Sequence, residues 1–128
     1  MFKKILFATS ATSVSDHAAR VAFNIAKNFG SKLCLFHVLG VPTRGYSQVV
    51  VDVKTRERVD VDDEYIFGVK EEIRTYYAKY LDTGLDFDIE VAVGFPAREI
   101  LRQAKTMNPD LILLGGTTGD EEESVYKK

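Results

Sequence analysis

The residues best suited by type and spacing to do chemistry are a glycine run, Gly115-Gly116-Thr117-Thr118-Gly119, directly after an apolar stretch. Glycines let backbone approach an anion closely, and successive N–H groups with threonine hydroxyls can hold phosphate oxygens. A plain turn after a strand has the same composition, so position in the fold must decide between the two. The next residues, Asp120-Glu121-Glu122-Glu123, repel phosphate and read as a solvated loop or helix start rather than as metal ligands. Cys34 and His37 have C-x-x-H spacing, but on a strand positions i and i+3 point to opposite faces, so they cannot share an ion. Ser10 with Asp16 and His17 has the residue types of a hydrolase. However, Asp16-His17 reads as the first turn of a helix, and no G-x-S-x-G elbow is present. Neither G-x-G-x-x-G after the first strand nor G-x-x-x-x-G-K-[ST] occurs, which argues against dinucleotide and P-loop sites.

The elements that must position these residues follow from the apolar pattern. Ile5–Ala8, Leu33–Leu39 and Leu111–Leu114 are continuous apolar runs, as in strands covered on both faces. Phe87, Ile89, Val91 and Val93 alternate with Asp86, Asp88, Glu90 and Ala92, the pattern of an edge strand. Between the runs lie helical periods. One carries Ala18, Ala22, Ile25 and Phe29, with Ser13 or Ser15 as N-cap and Gly30 as C-cap. A second carries Ile66, Val69, Ile73, Tyr76, Tyr77 and Tyr80 after Asp62 or Asp63, its tyrosines at core spacing. A third begins at Pro96, carries Ile100, Leu101 and Ala104, and is stopped by Asn108-Pro109. Strand–helix alternation predicts an α/β fold with an open parallel sheet. Placing the alternating strand outermost gives the order 3-2-1-4. Right-handed crossovers then put the first two helices on one face and the Pro96 helix on the other. Winding reverses between the first and fourth strands, and ligands bind beyond the carboxyl ends of strands at such a reversal. The loops there are 9–15 and 115–120, which brings the glycine run to the crevice.

One stretch departs from the alternation. Val49, Val51 and Val53, then Val59 and Val61, alternate with polar residues and predict a two-stranded flap over 46–61 within one domain of 1–128. It reads as an ordered loop, a lid or a contact surface.

Composition narrows the function class. The 128 residues fit one domain; 45% hydrophobic and 28% charged residues are the balance of a globular chain. A net charge of −2 gives no footprint for nucleic acid. One cysteine excludes an internal disulfide framework and fits a reducing compartment. The apolar run near the N-terminus is too short for a leader or a membrane span, so the expectation is a cytoplasmic protein.

Four segments together resemble the universal stress protein family: Phe2-Lys3-Lys4-Ile5-Leu6-Phe7-Ala8-Thr9-Ser10, Leu35-Phe36-His37-Val38, Gly94-Phe95-Pro96-Ala97-Arg98-Glu99-Ile100 and Asp110-Leu111-Ile112-Leu113-Leu114-Gly115. The resemblance covers nearly the whole chain apart from the flap. It implies a Rossmann-like sheet of the adenine nucleotide alpha hydrolase type, five-stranded in the order 3-2-1-4-5. It also implies a cytoplasmic, usually dimeric protein, of which some relatives bind ATP. Binders carry Pro-Thr-Asp or Pro-Val-Asp after the first strand; the matching residues here are Ala8-Thr9-Ser10, a hydroxyl where the ribose carboxylate would be. Val38 matches the position that meets adenine. The phosphate pattern G-2x-G-9x-G-[ST] is met only in part, by Gly115 and Gly116 with Thr118 or Gly119. The last Gly-[ST], the last helix and the fifth strand are absent from the sequence.

The resulting expectation is a regulatory or protective domain with a weak or vestigial site for ATP or AMP, with Mg²⁺ if the triphosphate binds. Thr9 and Ser10 would meet ribose, with Ala8 beside them in the site, Val38 the adenine edge, and Gly115, Gly116, Thr118 and Gly119 the phosphates. No general base stands near the glycine run, so at most a slow ATPase is expected. The rival reading is a protein-interaction module that acts as a homodimer without nucleotide. The continuously apolar fourth strand predicts either a homo-oligomer that completes its outer edge, or a longer protein that supplies the missing strand.

Overall fold

The computed structural model describes residues 2–40, 49–51, 58–81 and 84–115. Strand β1 (Lys4–Thr9) leads through a short 3-10 turn into helix α1 (Asp16–Phe29) and strand β2 (Lys32–Gly40). Two short strands follow, β3 (Val49–Val51) and β4 (Arg58–Asp60), paired antiparallel as a separate ribbon. Helices α2 (Asp63–Tyr76) and α3 (Ala78–Leu81), strand β5 (Asp86–Gly94), helix α4 (Pro96–Met107) and strand β6 (Leu111–Gly115) complete the described chain.

The main sheet is parallel, in the order β5-β2-β1-β6. This is the order 3-2-1-4 expected from the apolar runs, with the alternating strand at an edge. Strands β1 and β2 are central, and side-chain parity divides the core between the two faces. Ile5 and Phe7, with Leu33, Leu35 and Ile89, pack against Ala19, Ala22, Phe23 and Ala26 of α1 and Ile73 of α2. Leu6, Cys34 and Phe36 face the other way, toward Ile100, Ala104 and Met107 of α4. Burying each large apolar side chain contributes roughly 1.5–3 kcal/mol, so both layers are needed to hold the sheet.

Local signals explain the element ends. Gly30 closes α1 in the left-handed region (φ 63°), its N–H bonded to the Ala26 carbonyl. Asp62 caps α2 by accepting the Tyr65 N–H at 2.8 Å. Pro96 opens α4, and Asn108 ends it at φ 54° just before Pro109. The cap of α1 differs from its sequence reading. Ser15 occupies the N-cap position but makes no capping bond; its hydroxyl serves another partner, described below.

The β6 strand also departs from expectation. A continuous apolar run was expected to be covered on both faces, yet Ile112 and Leu114 are 42% and 60% exposed. Helix α4 packs chiefly on β2, β5 and β1. Among the described residues, β6 pairs only with β1 and is the edge strand.

Candidate functional site

Register places the carboxyl ends of three strands side by side. Ala8 is level with Phe36 of β2 and Leu114 of β6, and Thr9 is level with Gly115. Val38 stands two residues beyond Phe36, so Ala8, Thr9, Ser10, Val38 and Gly115 converge where the winding reverses. Gly116, Thr118 and Gly119 lie outside the described residues.

Parity assigns these residues to different surfaces. Ala8, Val38 and Leu114 share the sheet face of Leu6 and form an apolar floor across three adjacent strands. Thr9 faces the opposite core and is buried. Its hydroxyl pairs with that of Tyr77 at 2.5 Å and accepts the Ala11 N–H at 2.9 Å. The Thr9 carbonyl accepts from Nδ1 of His37 at 2.7 Å. Every polar group of the Thr9 side chain is thus already engaged inside the protein. Ser10, not Thr9, carries the hydroxyl near the crevice surface.

Ser10 belongs to a cluster of hydroxyls. Its Oγ pairs with Thr12 Oγ1 at 2.8 Å and with Ser15 Oγ at 2.7 Å, and its N–H donates to Ser15 Oγ at 3.0 Å. Ser15 is fully buried and donates to the Gly115 carbonyl, joining the loop after β1 to the end of β6. Ala11 turns that loop in the left-handed region (φ 57°), which costs a side-chain-bearing residue about 1 kcal/mol. Gly115 is fixed by space. A Cβ there would stand 2.6 Å from Phe7 Cε1 and 3.1 Å from Ser15 Cβ, so only glycine lets β6 pass this close.

The charged candidates of the sequence fall elsewhere. Asp16 accepts from the Tyr76 hydroxyl at 2.8 Å at the start of α1, away from Ser10's hydroxyl partners. Cys34 packs on the α4 face near Gln103, whereas His37 bonds Thr9 on the other face. Burial pushes the Cys34 thiol up to about 12, with Glu90 adding to the shift. Burial likewise pushes the Tyr77 phenol up to about 12. Among the described residues no group of three His, Cys, Asp or Glu is arranged to hold a metal ion.

The 3-2-1-4 parallel sheet that carries these residues is an α/β fold shared with solved structures. The family model described as "Universal stress protein family" matches residues 1–121. The chain belongs to the universal stress protein family. Universal stress protein MJ0531 of Methanocaldococcus jannaschii is 30% identical over 125 residues, covering 93% of this chain and 66% of that relative. The chain therefore corresponds to slightly less than two thirds of that protein's length. Among solved structures, the universal stress protein UspA of Lactobacillus plantarum has a TM-score of 0.68 at 21% identity. That match covers 93% of this chain and 80% of the other. A universal stress protein of Archaeoglobus fulgidus, solved in complex with dAMP, has a TM-score of 0.60 at 18% identity, covering 98% and 87%. At these identities the structural likeness shows the shared α/β fold.

Sequence reasoning placed the 9–15 loop at the crevice without singling out Thr12 or Ser15 as site residues, and it missed Leu114. Ser15 looked like a cap, and the strand register that brings Leu114 level with Ala8 is set by pairing across the sheet.

Proposed function

We propose that this family member is a regulatory or protective domain that binds an adenine nucleotide weakly at the carboxyl ends of β1, β2 and β6. The observation that carries the reading is the pairing of an apolar floor (Ala8, Val38, Leu114) with a hydroxyl wall (Ser10, Thr12) at the sheet's reversal point. The floor suits a flat apolar base, and the wall suits a sugar. The dAMP complex of the Archaeoglobus fulgidus neighbour supports an adenine nucleotide as the occupant. Gly115, with Gly116, Thr118 and Gly119, would hold phosphate. Ala8, Thr9, Ser10, Val38 and Gly115 include no carboxylate, so Mg²⁺ would enter with the phosphates rather than on these side chains.

Binding is weak because Ser10 stands where ATP-binding relatives carry a carboxylate. A charged hydrogen bond contributes about 1.5–3 kcal/mol, so its loss lowers affinity roughly tenfold or more. Calorimetry with ATP and Mg²⁺, together with mass spectrometry of the purified protein for carried-over nucleotide, tests the reading. Weak saturable binding supports it. No binding of ATP or AMP at millimolar concentration would leave the second reading, an interaction module.

The exposure of Ile112 and Leu114 on β6, which among the described residues pairs only with β1, favours that second reading. We propose a second copy of the chain as the partner on this edge and a cytoplasmic location. In the described residues no helix is long and apolar enough to cross a membrane.

A further inference from the structure

The direction of the hydrogen bonds around Ser10 is fixed by a single acceptor. The Gly115 carbonyl can only accept, so the Ser15 hydroxyl proton must point to it. With its one proton spent, Ser15 Oγ can only accept from Ser10, at 2.7 Å from the hydroxyl and 3.0 Å from the N–H. Those two bonds fill its lone pairs. Ser10 Oγ has then spent its own proton on Ser15, and Thr12 must donate to Ser10 at 2.8 Å. The protons run one way, Thr12 to Ser10 to Ser15 to the Gly115 carbonyl. What remains for the crevice is one lone pair on Ser10, which is half-buried, and two on Thr12, which is exposed.

We infer that Ser15 is a positioning residue that makes the crevice wall acceptor-only, so that Ser10 and Thr12 select ligands bringing hydroxyl donors, such as the vicinal diol of a ribonucleoside. The inference rests on the adenine-nucleotide reading above and adds the part of the ligand that is recognised. Chemically the wall imitates a carboxylate, which also only accepts, but it does so without charge. A ligand lacking the sugar hydroxyls leaves these lone pairs to water and gains nothing from the wall.

The test is calorimetric titration of the full 128-residue chain with AMP and with 2′,3′-dideoxyadenosine 5′-monophosphate, which differ only in the two sugar hydroxyls. Two neutral hydrogen bonds predict that AMP binds roughly tenfold more tightly. Ser10→Ala removes one of the two acceptors and should cut the AMP preference to roughly threefold, the share that Thr12 still supplies. Ser15→Ala, checked for folding by circular dichroism, should also shrink the ratio, because the Ser10 proton loses its fixed acceptor. A general loss of stability would weaken both ligands together and leave their ratio intact. Equal affinities in the unaltered protein, with both ligands binding, overturn the inference and leave the nucleotide reading standing. A folded Ser15→Ala variant that keeps the full ratio also overturns it. Failure of AMP and the dideoxy compound alike to bind overturns the nucleotide reading and the inference together.

Discussion

The β1–β6 pair is tied at both ends, by a charge at its amino end and by a neutral hydroxyl at its carboxyl end. At the amino end Asp110 Oδ2 accepts the N–H of Lys3 at 2.6 Å and of Lys4 at 2.9 Å, while Asp110 N–H donates to the Lys4 carbonyl. At the carboxyl end Ser15 joins Ser10 to Gly115. The two ties serve the same pair of strands, but their surroundings differ. Asp110 is at the surface, where water moderates the cost of an ionised group. Ser15 is fully buried beside the crevice, where a lone carboxylate would need a partner. A hydroxyl secures the strands there without placing a charge inside the protein.

The largest expected effect comes from breaking the carboxyl-end contact outright. Gly115→Val drives a branched side chain into Phe7 and Ser15 and should destabilise the fold by about 3 kcal/mol. Urea denaturation measures the loss; a midpoint unchanged from the parent chain would mean that β6 does not pass this close to β1.

A smaller effect separates the two ties by pH. The N–H groups of Lys4 and Lys3 hold the Asp110 carboxyl below the usual carboxylate range. A depressed folded value means that the unfolded chain takes up the proton first as pH falls. The Asp110 contribution is therefore complete at neutral pH and is lost below about pH 4, the ordinary carboxylate value. Thermal melts of Asp110→Asn and the parent chain should differ at pH 7 and converge in acid. Ser15→Ala leaves a buried carbonyl and N–H without their partner, at a cost of about 2 kcal/mol. No proton is gained or lost in that tie, so its deficit should stay constant from pH 4 to pH 8. A deficit that closes in acid would show that the carboxyl-end tie depends on a charge after all.

The smallest effect sharpens the same end. Ala11→Gly relieves a left-handed backbone but raises the entropy of the unfolded chain, for a net gain of about 0.5 kcal/mol. Differential scanning calorimetry should find a slightly higher melting temperature, and a fall would mean that Ala11 does more by packing than it loses by strain.

Of the residues these predictions test, Gly115 and Ser15 carried a sequence reading, as a phosphate contact and as a helix cap, whereas Ala11 carried none. The strand order was legible because each run carried its own burial pattern. Alternation at Phe87–Val93 placed β5 at an edge, and continuous runs placed β1 and β2 inside. Helix ends were legible where the signal is local, as at Gly30, Asp62 and Asn108-Pro109. Ser15 was not, because its decisive partner lies 100 residues away and its type suits a cap equally well. Thr9 was read as facing ligand for a similar reason: the Tyr77 hydroxyl that engages it is 68 residues distant. An apolar run states that a strand has neighbours, but not which face they cover, and so Leu114 gave no sign of its exposure.

The chain's single thiol has a kinetic consequence. Cys34, on β2, is buried against α4, and burial pushes its thiol so far up that almost none of it is thiolate at pH 7. The thiolate is the reactive species, so an alkylating reagent must wait for α4 to lift from the sheet. The rate of Cys34 labelling is thus a clock for that opening, ticking inside the protein and requiring no added probe.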